Sequence, residues 1–531
     1  MKNLVVLYLI FLISNPSSFS QNKEVEIIYA GSLEIDKKNY PGYKILKKSN
    51  TKQVHLLHNG LEIWSDKVFF QQIENNLSSY GNVVLKQGDS LILTCDDLDY
   101  NGNTKIAIAR KNVILDDKKM ILKTQKLYYN RNLEIAEYPE KGVLFDSTTT
   151  IQSDKGIYYT TQNKYRFESN VDVKRNDLNI KSSKMDFYTT SNKSFFLGPT
   201  TIIGEDYIIN CDTGLYEIDG KKGFFKKNAS IKYNLKELVG DSIFFDKELG
   251  FASAKDNIKL IDTLNNSIIT GTYGKVFKDS DSVMITHKAV AINLIDKDSL
   301  FIRADTLIST GKNENRITRG FKNVRIFKNN FSAKSDSLVF NNNEGIVKLY
   351  RNLILKDDLD YYTPNEISAK NPVLWSNNSQ ITGDEIHIKI NDKRIDSLII
   401  LNNSFVAEQD SLNLKNFNQL KGIRLEGKFG LNGLEEIDLI KNTEMIYYLY
   451  DDNDLELTGI DKAICSSMRI IFEEKSISEM IFFTDPDGTT FPPEEIPENS
   501  RKLIGFFWRG DEKIKSKDEI YHEFDFKKFV P

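Results

Sequence analysis

The sequence predicts an all-β protein assembled from tandem strand pairs, one pair to about 29 residues. Three observations carry that expectation. An apolar–polar–small–Asp pattern recurs as Ile63-Trp64-Ser65-Asp66, Leu93-Thr94-Cys95-Asp96, Ile151-Gln152-Ser153-Asp154, Ile209-Asn210-Cys211-Asp212 and Leu238-Val239-Gly240-Asp241. With Gln125 and Ser183 in place of Asp in two further copies, its fourth position falls at 96, 125, 154, 183, 212 and 241, in steps of 29. Between these copies lie openings of the form Asn-apolar: Asn82-Val83, Asn112-Val113, Asn170-Val171, Asn257-Ile258, Asn323-Val324 and Asn352-Leu353, with Asn228 in the same phase. Finally, Val171-Asp172-Val173-Lys174 and Leu178-Asn179-Ile180-Lys181 alternate apolar and polar residues at period two, which is the mark of half-buried strands. Regularity of this kind indicates a stack of one supersecondary unit in which each repeat touches only its neighbours.

Taken in order, Met1-Lys2-Asn3, the apolar run Leu4 to Ile13 and the Ser-rich stretch ending at Ser20 have the order of a secretory signal, with cleavage expected after Ser20. The run is far shorter than the roughly 20 apolar residues of a spanning helix, so an uncleaved anchor is the weaker alternative. Residues 25–60 read as two strand-like runs separated by the turn signal Tyr40-Pro41-Gly42. From Leu61 to about Asn403 the repeats are nearly continuous, with later copies at Ile302-Arg303-Ala304-Asp305, Ala333-Lys334-Ser335-Asp336 and Ile381-Thr382-Gly383-Asp384. The wider last gap, around Tyr361-Tyr362-Thr363-Pro364, marks a candidate subdomain boundary. After Asn403 the pattern loosens, Phe491-Pro492-Pro493 begins extended chain, and Leu503 to Gly510 has the composition of a docked terminal segment. The expected organisation is therefore a signal at 1–20, a first β domain at 21–170, further repeats at 171–403 and a β-rich capping or docking region at 404–531.

Alternation places the apolar and small residues of each copy on one face and Trp64, Thr94, Lys123, Gln152, Lys181 and Asn210 on the other. The inward set is then Ile63, Val83, Leu85, Leu91, Leu93, Val113, Leu115, Leu122, Ile151, Val171, Val173, Leu178, Ile180 and Ile209. Small side chains among large ones can leave room in such an interior. Cys95 and Cys211 occupy the small slot filled elsewhere by Ser65, Ser153, Ser182, Gly240, Ala304 and Ser335, and with Cys465 they make an odd, scattered set. They read as packing residues rather than metal, redox or disulfide positions.

Composition and motifs exclude more than they assign. A formal net charge of −4 with balanced acids and bases argues against nucleic acid as a partner. The repeated Asp offers one ligand per unit, too few for a calcium repeat, and reads as a turn or bulge cap. His55 and His58 are three apart on a strand and point to opposite faces, while His287, His387 and His522 are isolated, so no metal site is expected. Gly427-Lys428-Phe429-Gly430-Leu431-Asn432-Gly433 lacks a dinucleotide setting and reads as a turn; no nucleophile elbow or phosphate loop occurs. No enzyme activity and no cofactor are expected. Lys221-Lys222 and Lys226-Lys227 read as solubility, with phosphate contact at the rim of an apolar groove as the sharper alternative.

Several segments then resemble the amino-terminal domain of the OstA/LptA family: Ile28-Tyr29-Ala30-Gly31-Ser32-Leu33, Gln53-Val54-His55, Asp66-Lys67-Val68-Phe69-Phe70, Tyr80-Gly81-Asn82-Val83-Val84-Leu85 and Tyr100-Asn101-Gly102-Asn103-Thr104-Lys105. The likeness is densest over residues 25–170 and continues weakly to about 403, and Gly505 to Glu512 resembles long OstA-like proteins of Bacteroidetes-type bacteria. The resemblance implies an elongated, open β-jellyroll or taco that shields the acyl chains of lipid A. It also implies a place in the periplasm, partnership with other lipopolysaccharide-transport proteins of the inner and outer membranes, end-to-end self-association, and lipid contact by the fourteen inward residues. About 130 residues after the repeats are too few for a lipopolysaccharide-sized barrel. The spacing alone leaves parallel solenoid winding open, and with it a secreted structural or adhesive β-solenoid with a self-filled core. A β-helix polysaccharide-cleaving enzyme is disfavoured for want of a paired acid and base.

Overall fold

Each long strand is bent at its middle by a bulge, and that bend organises the molecule. A computed structural model describes residues 24–521 except 90, 296–297, 313–314, 330, 352–369, 392–393, 431–433, 452–454 and 474–475. The expected signal peptide, the Tyr361–Pro364 boundary, Asn352-Leu353 and His522 lie outside the described residues. Within the described chain, strand follows strand with a few short 3-10 turns, and the recorded strand pairings are antiparallel. The parallel winding that the spacing left open is therefore not adopted. Among the described residues no helix is long and apolar enough to cross a membrane.

The bend can be followed at Asn76–Gln87 and Leu91–Asn101. Tyr80 pairs with Asp97 and Val83 with Cys95, so Gly81 and Asn82 together face Asp96 alone. Gly81 and Asn82 both have positive φ, 79° and 44°, a conformation that glycine and asparagine enter at least cost. The same left-handed pair recurs at Lys111-Asn112, Ser169-Asn170, Lys227-Asn228, Asp256-Asn257, Lys322-Asn323, Asn402-Asn403 and Lys441-Asn442. Opposite the extra residue the alternation of Leu91–Asn101 slips by one, so Leu91, Leu93 and Cys95 before the bend and Leu98 and Tyr100 after it are buried, while the bulged strand buries Leu77, Ser79, Val83 and Leu85. Both arms of the bent strand thus turn their apolar residues toward one interior.

Hydrogen bonds join the two sequence patterns at these corners. The Asn amide donates to the repeated Asp carboxylate in Asn82–Asp66, Asn112–Asp96, Asn170–Asp154, Asn228–Asp212, Asn257–Asp241, Asn323–Asp305 and Asn403–Asp384, at 2.6–3.0 Å. The small slot donates as well: Ser153, Ser182 and Ser335 Oγ, and Cys95 and Cys465 Sγ, each bond the carbonyl two residues on. The slot must be small because it lies inside the bend, and a hydroxyl or thiol satisfies a carbonyl that the bulge has removed from the ladder. Where Gln125 and Ser183 replace Asp, the partner chain is not one bent strand. It is broken in two, at Pro139 between Ile135–Tyr138 and Gly142–Phe145, and at Pro199 between Lys193–Phe196 and Thr200–Gly204. Proline cannot donate to the ladder, so the break replaces the corner.

The chain divides into two compact units, one ending at Ile202 and one beginning at Ile203. In the first, residues 25–60 form four strands, Glu26–Tyr29, Ser32–Glu34, Lys44–Lys47 and Val54–His58, rather than two runs. Gly31 interrupts the first run because a Cβ there would meet the Ser49 backbone at 2.4 Å, and Lys44–Lys47 carries too short a pattern to be read from sequence. Asn59-Gly60, with φ 49° and 78°, closes the hairpin between Val54–His58 and Leu61–Ser65.

In the second unit the bent strands run on past residue 403, as Arg394–Gln409, Phe417–Phe429, Leu434–Tyr450 and Leu457–Glu473. Of Gly427 to Gly433, expected as a turn, Gly427, Lys428 and Phe429 end a strand, with Gly427 paired to both Leu398 and Ile437, and 431–433 lie outside the described residues. Residues 492–521 then return as a strap over the outer face of one arm. Beneath it, Phe405, Ala407, Ile446, Tyr448 and Ile460 form a buried cluster with Ile496 and Leu503. Two buried glutamines bracket the strap: Gln419 donates to Arg501 O and accepts from Leu503 N, and Gln380 donates to Phe507 O and accepts from Arg509 N. Further along, Arg509 and Lys334 share the Glu512 carboxylate. Ile514 and Ile520 pack on Phe327, and Arg303 donates to Ile520 O at 2.8 Å.

Candidate functional site

Each of the fourteen residues of the expected inward set is at most 5% exposed. In the first unit the space between the arms is filled by their own side chains together with Tyr100, Tyr129, Tyr138, Tyr158, Tyr165 and Phe167, all buried. The rims of the two arms are also tied together there. Arg131, in a turn of one rim, donates to His58 O, Asn59 O and Gln87 Oε1 on the other at 2.7–3.1 Å. Tyr165 donates to Asp117 at 3.2 Å, and Lys119 to Thr190 at 2.9 Å.

An unfilled space occurs in the second unit, between the arms of the strands from Tyr207 to Phe277. It is a cleft of about 620 Å³, within the roughly 300–1,000 Å³ of small-molecule sites. Ile231, Leu238 and Leu260 line it from one arm and Phe245, Ala252 and Val276 from the other. Among these wall residues Ala252 is the smallest, and Val276 pairs with it on the neighbouring strand. A Cβ at Gly274 would make only ordinary contacts with Ile258 and Ile285, at 3.4 Å. Sequence reasoning identified the inward face but not this opening. No single inward residue signals it, since Ala107 and Ala109 hold in the first unit the phase that Ala252 and Ala254 hold in the second.

Charged groups surround the mouth. From one row of turns come Glu205, Asp206, Lys236 and Asp262; from the opposite row come Lys247, Lys278, Asp279, Asp281 and Lys312. Lys278 pairs with Asp206 at 2.6 Å, Lys247 with Glu205 at 3.2 Å, and Lys236 with Asp281. Lys278 also lies over the Tyr233 ring and Lys247 over Tyr207. The Asp206 hydrogen bond holds the Lys278 ammonium above its ordinary range. An apolar trough with a charged rim suits an amphiphile.

Other candidates take ordinary roles. His55 bonds Glu62 at 2.8 Å and stacks on Trp64, while His58 bonds Tyr100 at 2.6 Å, so the two histidines serve opposite faces. Among the described residues no group of three or more His, Cys, Asp or Glu is placed to hold a metal ion. Cys95, Cys211 and Cys465 are buried, and burial pushes the Cys95 and Cys211 thiols up to about 12. Lys221 lies in a turn and Lys227 at a corner, both with positive φ.

Residues 22–183 match the model of the OstA-like protein family. No curated protein matches the chain. Among solved structures, the chain is similar to LptH from Pseudomonas aeruginosa, described as the LptA homologous periplasmic component of the conserved lipopolysaccharide transport device. Identity is 16%, over 22% of this chain and 82% of that chain, with a TM-score of 0.20. At that score the architecture rests on the strand pairing described above.

Proposed function

With residues 22–183 OstA-like, we propose that this chain is a periplasmic carrier that shields the acyl chains of lipid A while lipopolysaccharide travels to the outer membrane. The observation that carries the reading is the apolar cleft between the arms at residues 206–281. Each buried methylene contributes about 0.8 kcal/mol, so acyl chains cross water only inside such a shield. The cleft residues Ile231, Leu238, Phe245, Ala252, Leu260 and Val276 take the first contacts. For the fourteen inward residues from Ile63 to Ile209, lipid contact remains part of the proposal, to be tested separately for each unit. In this reading the partners are lipopolysaccharide and the transport proteins of both membranes, reached after export by the amino-terminal signal. The strands Ser32–Glu34 and Ser476–Phe483, each paired on one side among the described residues, supply edges for end-to-end association.

The second reading, a self-filled structural or adhesive β protein, is favoured by one observation: the fourteen inward positions are buried by the chain's own side chains. Lipopolysaccharide titration against a neutral apolar fluorophore, 1-N-phenylnaphthylamine, separates the two. The carrier reading expects saturable fluorophore binding, displacement by lipopolysaccharide, and loss of both in Ala252→Phe, which fills the cleft from an inward wall. If the unmodified chain binds neither ligand, or Ala252→Phe binds both as before, the carrier reading is lost.

A further inference from the structure

The two units close their mouths with different chemistry, and the difference bears on how cargo enters. In the first unit Arg131 reaches across to two backbone carbonyls and an amide oxygen, above an interior already packed with tyrosines. These acceptors are fixed in the fold and no space lies beneath them. In the second unit the links between opposite rows of turns are lysine–carboxylate pairs, Lys236–Asp281, Lys278–Asp206 and Lys247–Glu205, and they lie over the unfilled cleft. All six side chains are partly exposed, the Glu205 carboxylate most of all at 71%. Such pairs are individually weak, screened by salt and able to exchange partners.

Resting on the carrier reading, we propose that these three ion pairs form a latch across a side port, so that cargo enters the cleft laterally between the rows of turns when the pairs open. The latch is polar, the trough beneath it is apolar, and the two rims are otherwise separate turns that share no ladder. An amphiphile arriving at the mouth brings the means of exchange: its polar head occupies the rim while its chains take the space below. The lysines remain paired until then, so the apolar trough is covered while empty.

The test is stopped-flow uptake of 1-N-phenylnaphthylamine, a neutral probe that no lysine attracts. Three full-length proteins are compared at low salt and at about 1 M salt, where the screening length falls to about 3 Å. In the unmodified protein uptake should be slow and should accelerate with salt. In Lys236→Met/Lys278→Met, which keeps Lys247–Glu205 of the three pairs, it should be roughly tenfold faster at low salt and less sensitive to salt. In Lys278→Asp/Asp206→Lys, which restores a pair with reversed polarity, it should return to the slow, salt-sensitive rate. Equal uptake rates in all three proteins, with the probe still bound, would overturn the latch and leave the carrier reading standing. So would an unchanged neutral-probe rate accompanied by weaker binding of dodecyl phosphate, which would make the lysines an anion site only. No probe binding by the unmodified protein would instead remove the carrier reading itself.

Discussion

Replacing Glu512 by Gln should release the terminal strap while leaving the bent strands in place. Arg509 Nε and Nη2 each donate to the Glu512 carboxylate at 2.9 Å, and Lys334 Nζ donates at 3.1 Å. The three side chains are 6%, 18% and 12% exposed for Arg509, Glu512 and Lys334. Removing the carboxylate leaves two buried cations facing each other, a change that costs about 3–5 kcal/mol. Because 1.4 kcal/mol is a factor of ten, local strap opening should rise at least about a hundredfold. Tryptic cleavage read by mass spectrometry checks this, with Arg501, Lys502, Lys513, Lys515 and Lys517 as reporter sites. The control is Lys334→Met/Arg509→Met/Glu512→Leu, which replaces the triad with apolar groups of similar volume and should keep the strap protected. The sign with pH follows from the same geometry. Burial pushes the Glu512 carboxyl up, but the Arg509 hydrogen bond and the charges of Arg509 and Lys334 outweigh it and hold the group below its ordinary value of 4.5. That stabilisation is complete above the ordinary value and is lost only as pH falls through the lower folded one, so protection should persist at pH 5 and fail in stronger acid. Equal tryptic protection of Glu512→Gln and the unmodified protein would refute the reasoning.

Other expectations are simpler to check. At a corner, Asn228→Gly keeps the left-handed backbone and loses one hydrogen bond, about 0.5–1.5 kcal/mol, whereas Asn228→Ala adds about 1 kcal/mol of backbone strain; urea midpoints should fall in the order unmodified, Gly, Ala. Cys95 and Cys211, buried and with thiols raised to about 12, should not react with a thiol reagent at pH 8 until the chain is denatured. Filling the cleft with Ala252→Phe should abolish 1-N-phenylnaphthylamine binding with little loss of stability, since the ring enters existing space.

The repeat, the two faces and the buried cysteine slots were legible because they depend on local alternation and equal spacing. The link between the Asp and Asn patterns was not, although both were visible, because Asp96 and Asn112 are joined only when adjacent strands are laid side by side. The first departures in the Asp pattern, Gln125 and Ser183, had a sequence explanation in Pro139 and Pro199 that becomes clear only from the broken partner strands. The cleft escaped notice for a different reason: no single residue makes it. It lies between Ile231, Leu238, Phe245, Ala252, Leu260 and Val276 on four adjacent strands. The composition of Leu503 to Gly510 announced docking, but not that Gln380 and Gln419 would receive it, since buried glutamines carry no periodic signal.

The strap also sets an order of events for folding. A bent hairpin needs only its sequence neighbours, so closing each one costs little chain entropy and the stack can grow as the polypeptide is delivered. Ile520, by contrast, must find Arg303, 217 residues earlier. That closure is the slowest to search for and cannot begin until both strand and strap exist. Until the strap docks, Phe405, Tyr448 and Ile460 lie on an uncovered face, where a protease or chaperone can tell an unfinished chain from a finished one.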